Sequence, residues 1–393
     1  MADEIAHTIP EEPALLSHNT NVHQESEFID PEGDVVLVLR NPDAPFAVWE
    51  DSDWAPQSKT DKADKTDKKA KKGKRTNEVL PEEPSEAEPA LLSHNTNVHQ
   101  ESEIEFLLSS RHLILASHYF DKKLNGTWKE AAPDPTDGRY HLETSDWDFE
   151  ALLILMNIIH GRTRSVPRRV DCEMLAKIAV LVDYYKCHEV VEVFSSMWID
   201  ALKNQLPSEC TRDLVLWLLI AHVFQRDDVF ANITKTAILK GQGPMPTMDL
   251  SIPSIVVDII DWRRQDAIAF ILNILDNLLV SLRTSPEVYN HMCTCLNLGA
   301  LDRAMYKEGL LGLSKPYLGH RVTDLETTVR GFSANVYDPW EHHRNGDLST
   351  MIECRLDSEF AKYKEGFSLA EVSMSNVSRR EGKDKNNDGD KLD

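Results

Sequence analysis

The hydrophobic pattern divides the chain into a short mixed section and a long helical one. Residues 33–40, Gly-Asp-Val-Val-Leu-Val-Leu-Arg, form an unbroken apolar run rich in valine, which predicts a buried strand. A second apolar run over 104–109 passes directly into helical spacing, with Leu113, Ser117 and Phe120 on one face. A third strand is predicted over 139–143, and helices over about 148–160, 171–185 and 189–201. Beyond residue 201 the chain stays helical. Leu206-Pro207-Ser208-Glu209 carries the proline and serine of a helix start, and 214–224 is hydrophobic nearly all round, hence buried. An amphipathic helix over 228–240 ends at Gly241-Gln242-Gly243-Pro244. Residues 252–282 predict one long helix or two abutting ones, and 298–311 and 322–331 two shorter ones.

The polar stretches set the domain boundaries. Residues 1–30 are acidic, proline-bearing and without period, and 371–393 are charged, so both are expected to be disordered. Between the first two strands stands an insertion at about 51–103. Its segment 59–75 holds nine basic residues and three aspartates with almost nothing apolar, so it is expected to lie outside the core. Phe46-Ala47-Val48-Trp49, just before it, is a remnant of a second strand or an alternative partner for the first. The division is then a mixed domain over 31–202 carrying the insertion, and a helical domain over 203–370.

One stretch occurs twice. Residues 12–27 recur without change as 88–103, sixteen identical residues 76 positions apart. The spacing is too long and the copies too few for a solenoid. Both copies immediately precede strand-like sequence. The duplication is a recent copying event, an error in the gene model, or a repeated binding motif.

Composition narrows the function classes. At 41% hydrophobic the 393-residue chain can bury a real core, and its net charge of −22 argues against general affinity for nucleic acid or anionic membrane. Six cysteines are too few for a disulfide framework, and Cys172, Cys187, Cys210 and Cys354 stand alone as reduced thiols do. Met1-Ala2-Asp3-Glu4 lacks the basic start of a signal peptide, and the longest apolar block, 214–223, is about half a membrane span. A cytoplasmic or nuclear location is expected, with no membrane partner.

The order of elements from 104 to 198, with Trp128-Lys129-Glu130 between the early helices and the third strand, resembles a BTB/POZ domain, especially those expanded in filamentous fungi. The resemblance covers about 33–50 and 104–202 and implies an α+β fold, a small sheet capped by a helical cluster, followed here by an all-helical region. It also implies a non-enzymatic protein-interaction module that self-associates as a homodimer. The family usually carries histidine where this chain has Ser109. BTB domains that recruit a cullin ubiquitin-ligase scaffold have a hydrophobic-x-Glu pattern in the loop matched by Trp128 and Glu130. By resemblance, Trp128 would fill a groove on the cullin and Glu130 would orient the loop. The same tripeptide also fits an aromatic packed against the sheet. Val35, Leu37, Leu113, Leu115 and Phe120 are core in part, and neighbouring positions in the family build a two-fold interface.

Other candidates carry less chemistry. Lys68, Lys69, Lys71, Lys72, Lys74 and Arg75 form a candidate nuclear import signal, which supports an alternative function as a nuclear co-regulator. The run lacks aromatics for base stacking, so direct nucleic-acid binding is not expected. His291-Met292-Cys293-Thr294-Cys295 offers soft ligands without the second pair a structural zinc site needs, so a packed helix is expected. The pair His342-His343 is expected at the surface or in packing. The stretch 384–393 resembles the start of a calcium loop but ends before the bidentate glutamate. No phosphate loop, nucleophile elbow or His-Glu-x-x-His appears, and no metal, cofactor or enzymatic activity is expected.

Overall fold

The computed structural model describes residues 25–42, 44–50, 103–127, 131–284, 291–334 and 347–374. The fold is α+β. Its sheet has four strands in the order β1-β3-β2-β4: β1 is Glu25–Phe28, β2 Val35–Arg40, β3 Glu103–Leu108 and β4 Tyr140–Ser145. Strands β2 and β3 pair antiparallel, Val35 opposite Leu108 and Arg40 opposite Glu103, although 62 residues separate Arg40 from Glu103. Strand β4 lies parallel to β2. The unbroken apolar run of β2 is explained by its central place: Val35, Leu37 and Leu39 are fully enclosed and Val36 nearly so. On the half-covered β4, Leu142 alone is buried.

Strand β1 departs from expectation, because Glu25–Phe28 lies inside the stretch read as disordered. It pairs parallel with β3, Glu25 opposite Ile104 and Phe28 opposite Leu107. Its sequence is polar and Phe28 is exposed; backbone pairing with β3 holds the strand in the sheet. The two copies of the duplicated stretch therefore end in neighbouring parallel strands, one contributing Glu25 to Glu27 and the other Glu103.

Eleven α-helices follow among the described residues. After β3 come α1 (Ser110–Ala116) and α2 (His118–Asn125), broken at Ser117. After β4 come α3 (Phe149–Ile159), α4 (Cys172–Tyr185) and α5 (His188–Leu202). Asp148 and Asp171 cap α3 and α4, accepting from the amides of Ala151 and Met174 at 2.9 and 2.7 Å. Helix α6 is Arg212–Val223, starting later than the Pro207-Ser208 signal suggests, and α7 is Asp227–Lys240. Residues 252–282 resolve into a single helix, α8 (Ser254–Thr284). Then come α9 (His291–Lys307), α10 (Val322–Arg330) and α11 (Leu348–Glu359).

Two hydrophobic cores result. The first joins the sheet, α1 to α7 and the start of α8, up to Ile260, so residues on both sides of position 202 share it. Helix α6 lies at its centre, with Leu214 to Ala221 all buried. The second core starts at Ala267 on the same α8 and takes in α9, α10, α11 and Phe360. Helix α8 is long and apolar enough to cross a membrane by length and composition; half of its most apolar stretch is buried in the protein, while Trp262 and Val280 are exposed. Arg264 sits at the seam, fully buried. Its guanidinium donates to Asp261 at 2.8 and 3.0 Å, to the Tyr317 carbonyl at 3.0 Å and to the Pro316 carbonyl at 2.9 Å.

From the second core the chain returns to the first. Gly366 passes so close to the Ala231 carbonyl that no Cβ would fit. Phe367 and Val372 then pack into the first core, Phe367 edge-on to Phe230 at 5.6 Å. Residues 371–374, placed in the charged tail by sequence, are thus helical with Val372 buried.

Candidate functional site

The sequence-derived candidates Trp128 and Glu130 lie outside the described residues, as do Lys68, Lys69, Lys71, Lys72, Lys74, Arg75, His342, His343 and 384–393. Cys295 is exposed on α9, and no group of three or more metal-ligating side chains occurs among the described residues. The five early apolar positions divide sharply. Val35, Leu37, Leu113 and Phe120 are core, whereas Leu115 is 88% exposed on α1.

The elements that carry Leu115 and Phe28 are both held at the backbone by residues that follow α3. Arg162 donates to the Phe28 and Ile29 carbonyls at 3.1 and 3.2 Å, fixing the end of β1. Two residues earlier, His160 fixes the start of α1: its Nε2 accepts from the Ser109 amide at 2.9 Å. That leaves Nδ1 to carry the proton and donate to the Met156 carbonyl, 2.9 Å away. Burial holds the His160 pKa below its usual value, and the nearby His112 ring opposes a second charge. Asp34 completes the junction by accepting from the Ser110 amide and hydroxyl at 2.7 and 2.6 Å. Burial raises its pKa, but those two bonds and Arg111 outweigh burial and leave it lowered. Ser117, at the α1–α2 break, donates to the Tyr185 carbonyl and accepts from the Phe120 amide. The backbone at the end of β1 and the start of α1 is therefore tied down, while Phe28 and Leu115 each expose apolar surface.

A second feature is a groove of about 600 Å³. Its walls are the loop after β2 (44–48), the β4–α3 junction (146–148), the end of α4 and the α7–α8 loop (248–251). The loop after β2 is not a strand, because Arg212 at the start of α6 takes its carbonyls. The guanidinium donates to Ala47 at 2.9 Å, to Phe46 at 3.0 Å and to the Glu173 carboxylate at 2.8 Å. Phe46, Trp147 and Tyr184 give the groove aromatic walls, with Trp147 and Tyr184 edge-to-face at 5.1 Å. The indole N–H is satisfied by Thr144 Oγ1 at 2.6 Å.

Six charged side chains line this groove. Lys177 pairs with Asp148 at 2.8 Å and with Glu173 outside it, and Lys186 pairs with Asp183 at 2.6 Å. Asp146 and Asp249 have no cationic partner among the described residues; Asp146 accepts from Asn41 and Ser145 only. The backbone here is unusual. Of eight described non-glycine residues with positive φ, five line the groove: Ala47, Asp146, Lys186, Met248 and Asp249. Such conformations cost free energy and persist where the surroundings enforce them, which occurs most at functional sites. Sequence patterns could not find this site, since it is assembled from four distant segments.

No protein-family model, curated protein or solved structure matches the chain.

Proposed function

We propose that the protein is a non-enzymatic interaction module of BTB type that self-associates and recruits other proteins. The observation that carries this is the exposure of two large apolar side chains, Phe28 on β1 and Leu115 on α1. Phe28 and Leu115 remain in solvent at 60% and 88% exposure, on elements whose backbone is fastened by His160, Arg162 and Asp34. A rigid backbone presenting apolar side chains loses little entropy on association. The antiparallel β2–β3 pair, the α1–α2 corner and the following helices are in keeping with the BTB resemblance.

Sedimentation of the full chain at micromolar concentration tests self-association. The wild-type protein is expected to be a dimer, and a Phe28→Asp/Leu115→Asp variant a folded monomer. A wild-type monomer would remove the self-association. Within this function, recruitment of a cullin ligase scaffold through Trp128 and Glu130 makes a separate claim. Trp128→Ala is expected to abolish cullin capture while leaving the melting temperature unchanged, since a buried hot spot is worth roughly 2 kcal/mol or more of binding. Normal capture by a well-folded Trp128→Ala protein would eliminate that role. The Lys-rich run supports the nuclear co-regulator alternative, which fluorescence localisation of a Lys68→Gln/Lys69→Gln/Lys71→Gln/Lys72→Gln variant tests. Unaltered nuclear entry would remove it.

A further inference from the structure

We infer that the groove beside β4 and α4 is a docking site for an extended, basic segment of a partner protein, in which a lysine or arginine adjoins an apolar residue. This goes beyond self-association and uses a different surface. Three independent features converge on it. First, the walls are aromatic and aliphatic: Trp147 is partly buried, and Tyr184 and Val48 are 46% and 61% exposed, so the groove offers apolar surface to an incoming side chain. Second, its charge is asymmetric. Lys177 and Lys186 are already neutralised by Asp148, Glu173 and Asp183, which leaves the Asp146 and Asp249 carboxylates as exposed acceptors. A cation bound by either carboxylate would enter a groove that Trp147 and Tyr184 also line, and aromatic rings attract cations through their quadrupoles. Third, the positive-φ residues Ala47, Asp146, Lys186, Met248 and Asp249 lie on all the walls, and the walls are cross-braced. Ser251 donates to Asp183 at 3.2 Å, tying the α7–α8 loop to α4, and Arg212 fastens the opposite loop. The groove is thus held open in the unbound protein, which lowers the cost of binding.

The charge complement selects the occupant. An anionic ligand, whether nucleic acid, phospholipid or acidic peptide, would meet two carboxylates without a cationic partner among the described residues, in a protein of net charge −22. A wholly apolar segment would bury those carboxylates without a neutralising cation, at a cost that disfavours it. A basic segment with an apolar neighbour satisfies both halves of the groove.

The test is fluorescence anisotropy with the full-length chain and a fluorescein-labelled peptide, Gly-Ser-Leu-Lys-Arg-Leu-Ser-Gly. Saturable binding is expected, weakening by about tenfold in the Asp146→Asn/Asp249→Asn protein. Asparagine tolerates the left-handed backbone at both positions, so the fold is expected to survive. Tyr184→Ser, at a half-exposed position, should weaken binding without altering charge. A matched control, Asp276→Asn/Asp324→Asn, removes the same charge elsewhere and should bind within about twofold of wild type. Equal weakening by both double variants would overturn the proposal, reducing it to diffuse attraction by an acidic protein. So would an absence of saturable binding. Binding that emerges only when Lys68, Lys69, Lys71 and Lys72 are changed to glutamine would also overturn it, because the groove would then belong to the chain's own basic segment.

Discussion

The two cores share one helix but are stabilised differently. In the first, side chains reach across long stretches of sequence to take backbone groups: His160 binds the Ser109 amide, Ser117 the Tyr185 carbonyl, Arg212 the Phe46 and Ala47 carbonyls, and Trp198 the Pro167 carbonyl at 3.0 Å. The second core is helix against helix, its apolar stripes meeting along α8. Arg264, the one fully buried charge among the described residues, stands at its entrance and binds backbone some fifty positions away. The difference follows from geometry. A sheet built from non-local strands has corners and junctions whose amides and carbonyls need partners, whereas helices satisfy their own interiors and leave only ends to be capped.

The largest effect that separates the cores should come from Arg264→Ala. It leaves Asp261 and two carbonyls without their cation, at a cost of about 3–5 kcal/mol. Amide hydrogen exchange should show lost protection in α9, α10 and α11 with the sheet still protected. Equal loss in both would mean that the cores unfold as one. Ser117→Ala attacks the other core, leaving the buried Tyr185 carbonyl unpaired at about 1–3 kcal/mol. Urea titration should find that loss, and exchange should place it in the α1–α2 corner.

Acidification distinguishes the cores by charge. Burial lowers the pKa values of His160, His188 and His222, all in the first region. For a histidine whose folded value lies below its unfolded one, the unfolded chain binds the proton first. The stabilisation is therefore complete above the ordinary value of 6.5 and declines as pH falls through the folded values. Melting curves between pH 7.5 and pH 5 should fall for wild type and fall less steeply for His160→Gln; parallel curves would exclude His160 as a contributor (both limits are roughly one unit or more either side of the ordinary histidine range).

Thiol chemistry draws the same boundary. Burial pushes Cys172, Cys187 and Cys210 up to about 12, so they are thiols at neutral pH, whereas Cys295 and Cys354 are exposed. Brief maleimide treatment with peptide mapping should mark Cys295 and Cys354 first, and early labelling of Cys187 would mean that the first core opens readily. The smallest effect belongs to Leu115→Ser. An 88% exposed side chain contributes little to the monomer, and stability should change by less than about 0.5 kcal/mol.

What the sequence made legible follows the range of each interaction. The three strands β2, β3 and β4 and the helices α3 to α8 are local patterns, and their predicted spans agree with the structure to within a few residues at most ends. Helix α11 has no counterpart among the predicted helices, because Leu348, Ile352 and Leu356 mark only a narrow i, i+4, i+8 stripe. Strand β1 offered no pattern at all: Glu-Ser-Glu-Phe is a strand only because β3 lies beside it. The groove was hidden for the same reason. Nothing local marks Ala47, Met248 or Asp249 as left-handed, since the constraint comes from α4, α6 and their neighbours.

The return of Phe367 and Val372 to the first core has a consequence for unfolding. Leu369 donates its amide to Asp227 at 2.8 Å, Phe367 donates to Thr234 at 3.2 Å, and Arg263 pairs with Glu371. Both ends of the second core are thereby moored to the first. If its helices come apart, they form a tethered ring rather than a free tail, and a ring has fewer shapes to explore. The C-terminal strap thus acts as a non-covalent cross-link, protecting a region that it barely touches.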